Sequence, residues 1–162
     1  MLKVNDYIIY KKEVCQIKDI LKDYYHEKDY YQLTPLSDNT LNIKVPVDNK
    51  ELRNLITKDQ VMQIIAKIDQ ITPIEEETKN LENIYKELLK SGEYSDLIKI
   101  IKTTYLRNKE RLDNHKKTTD KDTYYFELAE KYLTEEFQIV LGLTYEQTRN
   151  FIIDKVEELS SK

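Results

Sequence analysis

Thr40-Leu-Asn-Ile-Lys-Val-Pro-Val-Asp-Asn49 decides the fold class. This β-branched run reads as a strand over Leu41 to Val47. Pro46 has no N–H to give to a ladder, so it marks a strand end or an edge. Asp38-Asn39 reads as the turn before it, and Tyr30 to Leu33 as the strand on the turn's other side. Towards the N-terminus, Leu2 to Tyr10 and Val14 to Leu21 read as two more strands. In the first of these, Val4, Ile8 and Tyr10 share one parity, opposite Lys3, Asn5 and Tyr7. Tyr24 to Asp29 is a polar hairpin tip. Four or five short strands in fifty residues predict a small SH3-like or Tudor-like β-barrel.

Beyond Asn49 the pattern turns helical, and most starts and stops are marked. Thr57-Lys-Asp-Gln60 is a capping box before Val61, Ile64, Ile65 and Ile68. Pro73 and Glu75-Glu76-Glu77 interrupt the pattern as a linker or helix entrance. Leu81, Ile84, Tyr85, Leu88 and Leu89 form a stripe at helical spacing that Gly92 ends. A third helix opens at Ser95 and carries Leu97, Ile98, Ile101, Tyr105 and Leu112. A polar loop around Asn114 to Thr119 leads to a fourth, with Tyr125, Phe126, Ala129, Tyr132, Leu133, Phe137 and Leu141. Gly142 stops it, and Thr144-Tyr-Glu-Gln147 caps the last helix. The expected class is α+β: a small Tudor/SH3-like barrel followed by an all-α domain. The expected boundaries are 1–56 for the β-module, 57–72 for a connecting helix and 73–162 for the helical domain.

The net charge of -4 hides a segregation. Residues 99–121 carry eight basic and three acidic side chains, whereas 122–162 carry four and nine. A local basic stripe on an acidic protein can meet phosphate while limiting indiscriminate adhesion. Lys99, Lys102, Thr103, Arg107, Lys109, Arg111, Lys116 and Lys117 belong to it. Spacing places many of them opposite the face of Leu97, Ile98, Ile101 and Tyr105. Each phosphate contact would release counterions and make binding salt-sensitive. A solvated helix face is the alternative explanation of the same pattern.

Other chemistry finds little footing. With two glycines, Gly92 and Gly142, both at helix ends, no phosphate-cradling loop is available. His26 and His115 lie in polar loops with no partner at metal or triad spacing. Cys15 is alone, which removes intrachain disulfides and multi-cysteine zinc sites, and it reads as a packed thiol. Catalysis is not expected, and neither is a cofactor, a metal or a small-molecule substrate. No apolar run is long enough to span a bilayer, so a cytoplasmic location is expected. Tyr24, Tyr25, Tyr30 and Tyr31 crowd one hairpin, where alternation places Tyr30 and Tyr31 on opposite faces.

The order of these features resembles the CarD/CdnL family of bacterial RNA polymerase-binding transcription regulators, whose N-terminal module is shared with transcription-repair coupling factors. The stretches that carry the likeness begin with Leu2-Lys-Val-Asn-Asp-Tyr-Ile-Ile-Tyr10, Tyr30-Tyr-Gln-Leu33 and Leu41-Asn-Ile-Lys-Val-Pro-Val-Asp-Asn49. They continue with Leu52-Arg-Asn-Leu-Ile-Thr-Lys-Asp-Gln-Val61, Tyr85-Lys-Glu-Leu-Leu-Lys-Ser-Gly92, Ile100-Ile-Lys-Thr-Thr-Tyr-Leu-Arg-Asn-Lys-Glu-Arg111 and Tyr125-Phe-Glu-Leu-Ala-Glu-Lys-Tyr-Leu133. The resemblance implies an N-terminal domain that docks an edge strand on the polymerase β subunit. There Lys44 stands at a basic contact position, with Tyr31, Leu33 and Ile43 beside it. It also implies a helical domain on promoter double-stranded DNA near the upstream fork, through Lys102, Arg107, Lys109 and Arg111. Preference for the open form would then shift the promoter-melting equilibrium, in a nucleoid-associated protein. Three departures accompany the likeness. The family's wedge tryptophan would fall near Glu77 to Lys79, and the chain has none. The glycines of the first hairpin are replaced by Asn5 and Lys12-Glu-Val-Cys-Gln16. The run before the second module is acidic. A protein-interaction adaptor, with the same docking sheet but an acidic protein on the basic helix, is the alternative.

Overall fold

The computed structural model describes residues 2–75 and 79–160. They form two compact units, 1–56 and 57–162. The first unit is a five-stranded antiparallel sheet and the second contains five helices.

The strands are β1 (Tyr7–Tyr10), β2 (Glu13–Tyr25), β3 (Lys28–Pro35), β4 (Ile43–Pro46) and β5 (Leu52–Arg53). Their order in the sheet is β4-β3-β2-β1-β5. One face collects Ile8, Cys15, Ile17, Leu33 and Val45 as its core, with Leu2, Tyr10, Ile20, Tyr31, Ile43 and Leu52 packed around them. Ile17 and Ile20 are three residues apart, so strict alternation would send them to opposite faces. The register resolves this: Ile17 pairs with Leu33 and Asp19 with Gln32, leaving one extra residue on β2. That bulge returns Ile20 to the core side.

The first strand is shorter than its sequence suggests. Asn5 takes left-handed backbone (φ 78°), and Lys3 N donates to the Asp6 carboxylate at 2.9 Å, which closes a turn before Tyr7. Val4, expected on the core parity, is consequently exposed. The next turn is unusual. Lys11 and Lys12 both take left-handed backbone, with φ of 49° and 71°, in the two-residue loop that pairs Tyr10 with Glu13. This geometry matches strand twist but is ordinarily filled by Asn-Gly, because a Cβ there crowds the backbone. Replacing Lys11-Lys12 by Asn-Gly is expected to stabilise the chain by about 1 kcal/mol. A higher urea midpoint would register the gain; an unchanged one would mean that the lysines carry compensating contacts.

The helices are α1 (Lys58–Ala66), α2 (Leu81–Ser91), α3 (Tyr94–Asp113), α4 (Asp120–Leu141) and α5 (Tyr145–Ser160), with a 3-10 turn at Ile68–Gln70 after α1. The Thr57/Gln60 capping box forms in both directions, as does the Thr144/Gln147 pair before α5. Gly92 and Gly142 end α2 and α4 in left-handed backbone. The segment expected as a connecting helix, α1 and the turn after it, belongs to the helical unit. The core of that unit comes from Val61, Ile65 and Ile68, Leu81 and Tyr85, Leu97, Ile98, Ile100 and Ile101, and Tyr125, Ala129, Leu133 and Phe137, closed by Ile152 and Val156. Among the described residues no helix is long and apolar enough to cross a membrane.

Candidate nucleic-acid interface and open sheet edge

β4 pairs with β3 and lies at the end of the sheet. Its register places Lys44 opposite Gln32 and Ile43 opposite Leu33, with Val45 opposite Tyr31. Lys44 therefore points away from the core. Its Nζ donates to the Tyr24 hydroxyl at 3.1 Å and lies 5.1 Å from the centroid of the same ring. Tyr24 in turn meets Tyr30 edge-on at 5.3 Å. The lysine and two tyrosines form an aromatic-basic platform beside the edge strand. The other three expected docking residues turn inward. Leu33 is fully buried, and Tyr31 and Ile43 pack on the same core, because odd-numbered positions of this ladder face the interior. A partner at this edge would meet the β4 backbone and Lys44, not those side chains.

The basic stretch divides in a similar way. Lys102 is buried, and its Nζ donates to the carbonyls of Ile68 (2.9 Å) and Ile71 (2.7 Å). It fastens the 3-10 turn and the residue after it to α3, as a second donor to Ile68 O, which also accepts from Ile71 N at 3.2 Å. Burial holds its ammonium below the ordinary lysine range, with Asp69 opposing the shift. The expectation that Lys102 meets DNA is therefore corrected: this lysine is a structural clasp. Its neighbour Thr103 completes it, accepting from Ile74 N at 2.9 Å and donating to Lys99 O at 2.7 Å.

Arg107 is half-committed. Its Nε lies 3.0 Å from Asp122, which is buried, while its own side chain stays 30% exposed. Tyr85, also buried, donates to the other oxygen of Asp122 at 2.9 Å. Burial, then the Asp122 charge, pushes the Tyr85 hydroxyl well above its ordinary range. Asp122 thus ties α2, α3 and α4 together, and only the outer edge of Arg107 can face a ligand.

What remains outward is Lys109, Arg111, Lys116 and Lys117, with Lys99 partly exposed nearer the start of α3. Lys109, Lys116 and Lys117 are exposed and Arg111 is partly so. The end of α3 is shaped for them. His115 takes left-handed backbone (φ 59°), and Lys116 N donates back to Arg111 O at 2.8 Å, a helix stop that folds the chain sharply. Arg107, Glu110, Arg111, Asn114 and Lys116 line a pocket of about 220 Å³ there. Three cations against one carboxylate make it an anion-accepting corner.

Both histidines are exposed, and Cys15 is buried in the sheet core. No group of three metal-ligating side chains occurs among the described residues. Glu76 and Glu77 of the acidic run, and with Thr78 most of the expected wedge position, lie outside the described residues. No family model matches the chain, and none of the curated proteins is significantly similar to it.

Proposed function

We propose that this chain is a two-part transcription regulator of the CarD/CdnL kind, docking on the RNA polymerase β subunit through its sheet and on promoter DNA through its helical unit. The observation that carries the reading is the open β4 edge with Lys44 directed outward. An edge strand offers unpaired backbone groups to a partner strand, and a lysine beside it adds charge selectivity. The strand order supports a Tudor-like or SH3-like barrel: four strands follow one another as hairpins and β5 returns beside β1. The outward cations at the end of α3 support the DNA contact, and no catalytic role is assigned to any residue.

The two halves are tested separately. Lys44→Glu is expected to weaken binding to the isolated polymerase β lobe about tenfold. Lys109→Glu with Lys117→Glu is expected to reduce the salt slope of promoter binding by about two. Unchanged lobe affinity would remove the docking assignment, and an unchanged salt slope would remove the DNA contact.

The inward turn of Lys102 and the commitment of Arg107 to Asp122 favour one further reading. With fewer cations outside than the sequence suggests, the helical unit would serve as an adaptor for an acidic protein. Such an adaptor would bind the lobe and leave promoter melting unaltered.

A further inference from the structure

The C-terminal end of a helix ordinarily repels anions, because its unsatisfied carbonyls gather partial negative charge. At the end of α3 those carbonyls are taken. Glu110 O accepts from Asn114 N at 3.1 Å and from Asn114 Nδ2 at 2.9 Å. Arg111 O accepts from Lys116 N at 2.8 Å, and Leu112 O from His115 N at 3.0 Å. All of these donors belong to the chain reversal after Asp113. The same reversal carries Lys116 back to the pocket that Arg107 and Arg111 line.

The cations of that pocket keep their donors in hand. Asp122 holds Arg107 by Nε alone, so the terminal nitrogens of an already oriented guanidinium are left over. The Arg111 guanidinium and the Lys116 ammonium make no hydrogen bond or ion pair among the described residues, not even with Glu110, which lines the same pocket. Three cations against that one carboxylate leave a surplus of two positive charges. A phosphomonoester matches it, with a charge of about -1.5 to -2 at neutral pH and three acceptor oxygens on one side. A phosphodiester carries about one negative charge and is flanked by substituents on both sides. The dimensions agree with the smaller group. Pockets for drug-sized molecules begin at roughly 300 Å³, so a corner of about 220 Å³ takes the phosphate and leaves the body of a larger ligand outside.

We propose that the corner at the end of α3 binds a dianionic phosphomonoester, with Arg107 and Arg111 as guanidinium donors and Lys116 as the third cation. The same chemistry is offered by a small phosphorylated molecule and by the 5′-terminal phosphate of a nucleic-acid strand. The proposal goes beyond the duplex contact described above, since a duplex offers only diesters between its ends.

The test is a titration of the ¹⁵N-labelled full chain with methyl phosphate and dimethyl phosphate, followed by amide NMR at pH 8, with ionic strength held constant by sodium chloride. Methyl phosphate is expected to shift the amides of residues 107–116 with an affinity about tenfold above that of dimethyl phosphate. Arg111→Gln and Lys116→Gln should each weaken it about fivefold. Lys67→Gln, which removes an exposed cation of the same unit that does not line the pocket, should leave it unchanged. Neither Arg111 nor Lys116 is buried, so both variants are expected to fold; if one does not, the monoester-to-diester ratio of the wild type carries the test alone. A 5′-phosphorylated oligonucleotide binding about tenfold tighter than its 5′-hydroxyl counterpart would support a strand end as the source, and equal affinity a small molecule. No shift by methyl phosphate at about 10 mM, equal affinities for the two esters, or equal losses from Lys67→Gln and Lys116→Gln overturns the proposal. Lys109 and Lys117, whose reversal tests the duplex contact, do not line the pocket. An unchanged promoter salt slope in that variant, with methyl phosphate binding intact, would remove the duplex reading and leave this one standing.

Discussion

Lys102→Ala is expected to destabilise the helical unit by about 3 kcal/mol, whereas Lys109→Ala should change it by less than about 0.5 kcal/mol. The two lysines lie on one helix and look equivalent in sequence. Lys102, however, gives two charge-assisted hydrogen bonds to carbonyls of Ile68 and Ile71 from a buried position. Truncation removes both hydrogen bonds, leaves Ile68 O with only its bond from Ile71 N, takes this partner from Ile71 O, and opens a void where the four-carbon stem lay. Urea unfolding of the two variants against wild type measures the contrast. Lys102→Met separates its causes: it keeps most of the stem, so the loss that persists belongs to the ammonium. Equal, small effects of Lys102→Ala and Lys109→Ala would return Lys102 to the surface and reinstate it as a candidate for DNA.

Asp122→Ala should be still more damaging, at about 3–5 kcal/mol. Its carboxylate is the shared acceptor of the Tyr85 hydroxyl and Arg107 Nε, at 2.9 and 3.0 Å. It also sits in the first turn of α4, where its N–H donates to Thr119 Oγ1. Removing it strands a buried phenol and a partly buried guanidinium at once. Tyr85→Phe deletes one donor only and should cost about 1 kcal/mol, because the Asp122 carboxylate keeps Arg107. A double-mutant cycle over Tyr85 and Asp122 gives the coupling directly. If Asp122→Ala were no worse than Tyr85→Phe, the bond to Arg107 would contribute nothing to stability.

These two residues mark where sequence reasoning reaches its limit. The elements were largely legible: the capping boxes at Thr57 and Thr144, the stops at Gly92 and Gly142, and the run before Pro46 all depend on local chemistry. The basic stripe was read on the assumption that a helix buries one face. The first half of α3 does not obey it, since Leu97, Ile98, Ile100, Ile101, Lys102, Thr103 and Thr104 are all buried. A helix enclosed on several sides takes its polar residues inward, provided that carbonyls are there to meet them. Nothing local to residue 102 announces the carbonyls of residues 68 and 71. The sheet has a similar blind spot: alternation puts Tyr31 and Leu33 on one face of β3, but only the pairing of Leu33 with Ile17 and Ile43 makes that face the core.

The sheet also carries a history in its connectivity. From β1 to β4 each strand turns back on its predecessor, so pairing can proceed by short local closures. Leu52 must instead find Tyr10, and Arg53 must find Ile9. With the hairpins formed, only residues 47–51 separate β4 from β5, and what limits this strand is a ladder only two residues long. That gives the last strand the weakest hold in the sheet. Until it arrives, β1 is itself an open edge, and the nascent sheet has two sides on which a neighbouring chain could add a strand. In the finished sheet β4 and the two-residue β5 are the edge strands, and β4 is the longer.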